Sequence, residues 1–472
     1  MKFRKVKWKG HPILGDLELD FVNPNTKMAY DTIVLAGENG SGKTTIIDTL
    51  NDFLCVGPVN IFEYIEYEVG GKSYRVKYCP KDTIVNGEKY FDIYDEGGKI
   101  IKKSVPPLNI EKEVLDPRHY GCAFTRAAIN YKTDKITKSS SSDVDTDTHD
   151  RGDKENANVS KQLLVDLDEQ YSEEHRSWYE RQKSEGKSVD DDSEIYKNSK
   201  IKRFKDAFNN FFEHIKYDRV ETDKGEKIPF FIKDGKKIPI DSLSTGEKQI
   251  VFRGTQLMRN VKNMDGGVVM IDEPEISMHP KWQQRILDYY KDLFKGEGDH
   301  RQKAQLFIAT HSEHVVSSAL KDSEDTLVIV LKDDGKKIDG KKIITPTALP
   351  DITSAETNYL AFGLCSIEYH QQLYAELQRK TGSEKIKVCD GYIKGHGRYD
   401  KAKHECICLY NSITYETVCT FVRNRIDHPN SSDTYSDAQL ALSIELMRGI
   451  LIDEKKKRAP AVMLSETVMT RT

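Results

Sequence analysis

Gly37-Glu38-Asn39-Gly40-Ser41-Gly42-Lys43-Thr44, followed by Thr45, has the spacing GxxxxGK[ST]. Glycines so placed let the backbone curl until successive N–H groups face one anion, and a helix opening at Lys43 adds the positive end of its dipole. Such a loop cradles a polyphosphate. The Lys43 ammonium reaches the terminal phosphates, and the Thr44 hydroxyl is a hard oxygen ligand for Mg²⁺. A second cluster, Asp272-Glu273-Pro274, closes the apolar run Gly266-Gly267-Val268-Val269-Met270-Ile271. A carboxylate at the C-terminal end of a parallel strand points into the ligand crevice. Asp272 is therefore the expected second Mg²⁺ ligand, and Glu273 the expected base that polarises an attacking water. His311 ends another apolar run, Gln305-Leu306-Phe307-Ile308-Ala309-Thr310. Lastly, Leu243-Ser244-Thr245-Gly246-Glu247-Lys248-Gln249 precedes a helical run, so Ser244, Gly246 and Glu247 lie at a helix N-terminus where hydroxyl and N–H groups converge on an anion.

These groups need a parallel sheet beneath them. Thr32-Ile33-Val34-Leu35-Ala36 is a continuous apolar run that reads as a buried central strand, and the phosphate-loop helix follows it. Leu17, Leu19 and Phe21 alternate with polar residues, as in a half-buried strand. Ile65-Glu66-Tyr67-Glu68-Val69, Gly70-Gly71 and the alternation of Tyr74, Val76 and Tyr78 predict a hairpin in a strand-rich stretch from 60 to 131. Residues 132–158 are almost free of apolar side chains and predict a mobile loop. Leu163, Leu164, Leu167 and Tyr171, then Phe204, Phe208, Phe211 and Phe212, recur at helical spacing on either side of a polar linker, 185–192. The reading is α/β with a mixed sheet, a helical hairpin insertion and a mainly α-helical C-terminal region. Its units are 1–131 with the phosphate loop, 132–216 the loop and helical insertion, 217–345 the rest of the sheet, 346–455 helical and less regular around Gly391–Gly397, and 456–472 a disordered tail.

Bulk composition excludes little but narrows the class. The 472 residues exceed one ordinary core; 37% are hydrophobic and 31% charged, and the net charge is −4, which gives no globally basic coat. Eight scattered cysteines without a CxxC pair read as free thiols of a reducing compartment. No apolar run approaches the ~20 residues of a membrane helix, so the expectation is a cytoplasmic protein with no membrane partner.

The four motifs, in their order along the chain, resemble those of ABC ATPases: residues 243–249 are similar to the LSGGQ signature, with the Leu-Ser-x-Gly-Glu form of the SMC- and RecF-like branch, and His311 is similar to the switch histidine. The resemblance implies ATP and Mg²⁺ as cofactors, with the site completed by Ser244, Gly246 and Glu247 of a second copy in a head-to-tail dimer or larger oligomer. Pro274-Glu275-Ile276-Ser277-Met278-His279-Pro280 falls where the dimer-contact loop should lie, with His279 a loop or interface residue. About 200 residues separate phosphate loop and signature, unlike in a transporter subunit. More narrowly, residues 241–254, 271–280 and Asn358-Tyr359-Leu360-Ala361-Phe362-Gly363, leading into Glu368-Tyr369-His370, resemble ATPase subunits of bacterial anti-phage systems: the PtuA family of Septu, including its retron-associated form, then the AriA family of PARIS. That implies a regulatory subunit holding an HNH or Toprim-type nuclease partner, with DNA or a phage protein as trigger.

Arg423-Asn424-Arg425-Ile426-Asp427-His428 also has the Arg-Asn-x-x-x-His spacing of HEPN ribonucleases, which keeps open an ATP-regulated RNA-cleaving toxin using Arg423 and His428; its plainer reading is a braced helix end before Pro429. A RecF-like DNA-repair ATPase is the third alternative. His396, His404, Cys406 and Cys408 lack usual zinc spacing.

Overall fold

The apolar runs predicted as central strands lie side by side. In a computed structural model of the chain, one sheet is ordered Cys122–Thr125, Val268–Asp272, Gln305–Thr310, Thr32–Gly37, Thr326–Asp333, Ile338–Lys342. The first five strands are parallel and the last pairs antiparallel with its neighbour, so the sheet is mixed. Val268–Asp272, Gln305–Thr310 and Thr32–Gly37 are buried at every position, which is why each reads as an unbroken apolar run and not as an alternation. The structure describes residues 1–55, 60–78, 84–85, 88–89, 91–103, 113–127, 136, 157–187, 189, 199–258, 266–295, 302–343, 347–410, 412–429 and 434–466.

A second, antiparallel sheet is ordered Glu18–Asp20, Lys2–Trp8, Phe62–Val69, Lys72–Tyr78, Phe91–Tyr94, Ile100–Lys103. The predicted hairpin is in register, with Ile65 opposite Val76 and Tyr67 opposite Tyr74. Its inward side chains, among them Phe3, Trp8, Ile65 and Ile93, share one core with Ile46, Leu50 and Phe53 of the Lys43–Leu54 helix and with Phe307 of the parallel sheet. A buried side chain fixes the two sheets. Gln305 accepts from Phe3 N (2.7 Å) and donates to the carbonyls of Phe3 (3.0 Å) and Tyr30 (2.9 Å). These bonds tie Gln305 to Phe3 and to Tyr30, so this amide in the core leaves no unmet polar atom.

The helical hairpin is present as Ala157–Ser184 and Lys200–Phe211. Its Leu163, Leu164, Leu167, Phe204, Phe208 and Phe211 are buried, and the two helices pack on Thr245–Met258 and Ile286–Leu293. The loop expected over 132–158 and the linker over 185–192 lie largely outside the described residues.

The chain divides into compact units Met1–Lys342 and Ile343–Thr472. The second is mainly helical, with the predicted stripe of Leu440, Ile444, Met447 and Leu451 buried. Three features depart from expectation. A β-hairpin, Glu405–Tyr410 with Ile413–Thr417, interrupts the helices; its register partners Cys408 and Tyr415 are both buried, while Ile407 and Leu409 on either side of Cys408 are exposed. The Ile386–Gly395 helix continues through glycines read as irregular, since Cys389 and Ile393 are buried and Asp390 accepts from Glu416 N, Thr417 N and Thr417 Oγ1. The last helix, Asp437–Glu466, extends past Lys455, where a disordered tail was expected; Lys and Arg are good helix formers, and that stretch lacks a breaker before Pro460. No helix of the described residues is long and apolar enough to cross a membrane.

Candidate functional site

At the C-terminal edge of the parallel strands the phosphate loop turns into its helix. Gly37 has φ +146°, and a Cβ there would collide with the Leu331 carbonyl oxygen; Gly42 has φ +86° as the helix N-cap, where a Cβ would meet Leu14 and Ile338. These two positions therefore require glycine. Lys43 points back into the loop, with Nζ donating to the carbonyls of Gly37 (3.0 Å) and Glu38 (2.7 Å) and to Ser41 Oγ (3.3 Å). Burial lowers its pKa to about 8, opposed by the charges of Glu273, Asp272 and Glu275. Glu38, Asn39 and Gly40 are exposed on the rim and Thr45 is half-buried on the first helical turn.

The neighbouring strands supply the oxygen donors. Thr44 Oγ1 lies 3.0 Å from Asp272 Oδ2 and 3.3 Å from Oδ1. Burial raises Asp272 to about 6, partly countered by the Thr44 hydrogen bond. A hydroxyl and a carboxylate in contact, both hard oxygens, fit Mg²⁺. Glu273 has φ +45°, a conformation a side-chain-bearing residue holds only under restraint. Its Oε1 sits 3.0 Å from His311 Nε2, while His311 Nδ1 sits 3.1 Å from the Gly37 carbonyl. That carbonyl can only accept, so Nδ1 carries a hydrogen, and the Nε2–Glu273 bond needs one further proton on ring or carboxyl. The three expected catalytic residues, Lys43, Glu273 and His311, and the expected Mg²⁺ ligands, Thr44 and Asp272, thus converge from strands far apart in sequence.

Glu275, read from sequence only as part of a contact loop, braces the backbone at His311. One carboxylate oxygen accepts from Thr310 Oγ1 (2.8 Å), His311 N (2.7 Å) and Ser312 N (3.1 Å). Ser312 Oγ in turn donates to Gln283 Oε1 (2.6 Å). No sequence pattern announces these bonds, because half of the partners are main-chain N–H groups.

The segment 243–249 stands apart from the phosphate loop. Ser244 is exposed at the start of the Thr245–Met258 helix. It exchanges capping bonds with Glu247: Ser244 N donates to Oε2 (2.8 Å) and Glu247 N to Ser244 Oγ (3.4 Å). Glu247 is buried, and its other oxygen pairs with Lys233 (2.8 Å). Its carboxylate is thus engaged within the chain, and of the three residues expected to meet a second copy's nucleotide Ser244 is the exposed one. Gly246 cannot carry a side chain, since a Cβ would lie 2.7 Å from the Ser277 carbonyl oxygen.

In the C-terminal unit, His428 caps the Val418–Asp427 helix with its ring stacked on Tyr410 (4.6 Å between centroids) and Nε2 2.6 Å from the Tyr410 hydroxyl. Arg423 pairs with Asp427 (2.7 Å) and donates to Asn424 Oδ1 (3.1 Å).

The chain is similar to several known proteins. A retron Vc95 probable ATPase of Vibrio cholerae is 30% identical over 129 residues, 25% of this chain and 22% of that protein. Septu protein PtuA of Bacillus thuringiensis is 22% identical over 299 residues, 61% of this chain and 67% of PtuA. The match thus spans about a fifth of the retron ATPase and about two thirds of PtuA, and the expected resemblance to both is borne out. Among solved structures, an SMC head bound to the C-terminal winged-helix domain of ScpA covers 73% of this chain and 98% of its own, at 12% identity and a TM-score of 0.42. The AAA ATPase domain family matches residues 80–316, half of the chain, and the protein belongs to that family.

Proposed function

We propose that the chain binds Mg²⁺ and ATP, closes head to tail with a second copy around the nucleotide, and hydrolyses it to regulate a nuclease partner in anti-phage defence. The observation that carries this reading is the meeting of Lys43, Thr44, Asp272, Glu273 and His311 at one sheet edge while Ser244 faces outward on another element. A triphosphate held by the loop would leave its γ end uncovered unless a second chain brings Ser244 and Gly246 to it.

In this reading the main-chain N–H groups of 37–44 and the Lys43 ammonium replace water around the β- and γ-phosphates. Thr44 and Asp272 would hold Mg²⁺, which would supply positive charge to offset that of the phosphates. Glu273, steadied by His311, orients a water and takes its proton as the water oxygen bonds to the γ-phosphorus and the bond to the β-bridging oxygen breaks. The products are ADP and inorganic phosphate. Loss of the γ-phosphate removes what Ser244 and Gly246 of the other chain grip, and the pair opens. The likeness to PtuA and to a retron ATPase supports the defence setting, and the regulated partner in this reading is a nuclease of HNH or Toprim type.

The test is the size of Glu273→Gln with Mg²⁺ and ATP, by light scattering. A stable pair that reopens on nucleotide removal is expected. A chain that stays monomeric with ATP yet turns it over at full rate would end the reading. Co-purification from the native operon identifies the nuclease.

A further inference from the structure

Two side chains of the Thr245–Met258 helix, one turn apart, reach the same short piece of backbone. Gln249 Nε2 donates to the Pro274 carbonyl (3.3 Å) and Arg253 Nη1 to the Asp272 carbonyl (2.9 Å). Those carbonyls bracket Glu273, whose φ is +45°. Both side chains are fully buried, and Arg253 Nη2 also holds the carbonyls of Arg126 (2.8 Å) and Ala127 (3.1 Å). A buried guanidinium spread over main-chain carbonyls costs far more desolvation than a Met or Leu filling the same space. Packing alone does not explain it; the fan of donors onto one strained turn does.

We propose that Gln249 and Arg253 are positioning residues for Glu273: they pin the turn from Asp272 to Pro274 so that the carboxylate stays against His311. The inference rests on Glu273 as the base. Where the chains pair, it goes further. The helix that pins Glu273 carries Ser244 at its N-terminus, so a triphosphate seated on Ser244 by the opposite chain bears on the posture of the base in this chain's own site. One rigid helix then couples the two ATP sites.

Arg253→Met, Arg253→Lys and Gln249→Leu in the full chain test this through kcat and KM for Mg·ATP beside the melting temperature. A displaced catalytic group costs up to about 100-fold, so Arg253→Met is expected to lose about 30–100-fold in kcat with KM changed less than about twofold. Arg253→Lys regains part of that loss, because an ammonium reaches one carbonyl but does not span three, and Gln249→Leu loses about 3–10-fold. Losses that merely follow the folded fraction, without the split between kcat and KM, overturn the proposal. Should Arg253→Met not fold, the other two variants decide by the same split.

Differently tagged chains test which of the two sites Arg253 serves. Glu273→Gln and Arg253→Met on one chain, paired with wild type, should keep roughly half the wild-type rate; split between two chains they should leave about 1 per cent. If the same-chain arrangement is the poorer, Arg253 acts on the opposite site and the assignment fails. If the chains never pair, the head-to-tail reading falls, while the kcat loss of Arg253→Met alone still decides the positioning role.

Discussion

Two histidines that end their elements, His311 and His428, have opposite surroundings. His311 is held by Gly37, 274 residues away, and Glu273, 38 residues away, with its main-chain N–H fastened to Glu275. His428 is held by Tyr410, 18 residues away, and the nearby Arg423 is paired one and four positions along its own helix. The first histidine is where separate strands meet. The second closes a local brace between a hairpin and a helix. Residue type and a neighbouring motif do not separate the two cases; the sequence distance of the partners does.

The contrast breaks most easily at the first site. Glu273→Gln is expected to lower kcat about 1,000-fold, within the 10²–10⁴ range of general-base catalysis, and His311→Ala about 10–100-fold, read from phosphate release. Normal turnover by either would move the chemistry elsewhere. At the second site, His428→Ala is expected to change ATP turnover less than about twofold while costing about 1 kcal/mol of unfolding free energy from the lost ring contact, by urea titration. RNA cleavage that His428→Ala abolishes would instead make Arg423 and His428 a second active pair.

A third histidine sharpens the comparison between functional and structural placement. His370 is fully buried beside Tyr374, and burial lowers it to about 4. Between pH 6.5 and 4 the unfolded chain takes a proton that the folded one refuses, so stability falls as pH falls through that window and is unaffected above it. The loss reaches about 3 kcal/mol. His370→Phe should flatten this limb in pH-dependent unfolding; an unchanged slope would show that the ring protonates freely. Smaller still is Glu275→Gln. An uncharged amide in place of the three-way acceptor should cost about 1–3 kcal/mol and loosen His311 without unfolding the chain, seen as lower kcat at unchanged ATP affinity.

Legibility followed the same division. Thr32–Gly37, Val268–Asp272 and Gln305–Thr310 were plain in sequence because a strand covered on both faces has only apolar residues to show until its polar tip. The glycines of the phosphate loop were equally plain, since only they tolerate its φ values. Glu275, Gln249 and Arg253 were not, because they bond to backbone groups that every residue carries, brought near only by the fold. The hairpin Glu405–Tyr410 with Ile413–Thr417 escaped for a different reason: Ile407 and Leu409 remain exposed, which blurs the alternation that marks a strand. The bonds of Glu247 to Ser244 N and Lys233 were not legible either, because a capping acid and a ligand-facing acid occupy the same place in a motif.

The strand order carries a consequence for synthesis. Thr32–Gly37 lies between Gln305–Thr310 and Thr326–Asp333, so the first of these to leave the ribosome must wait some three hundred residues for both flanks. Until then both edges of this strand are open, and the Lys43–Leu54 helix that follows it packs on the antiparallel sheet alone. The sheet edge that carries the phosphate loop therefore closes late, once Gln305–Thr310 and Thr326–Asp333 have both left the ribosome.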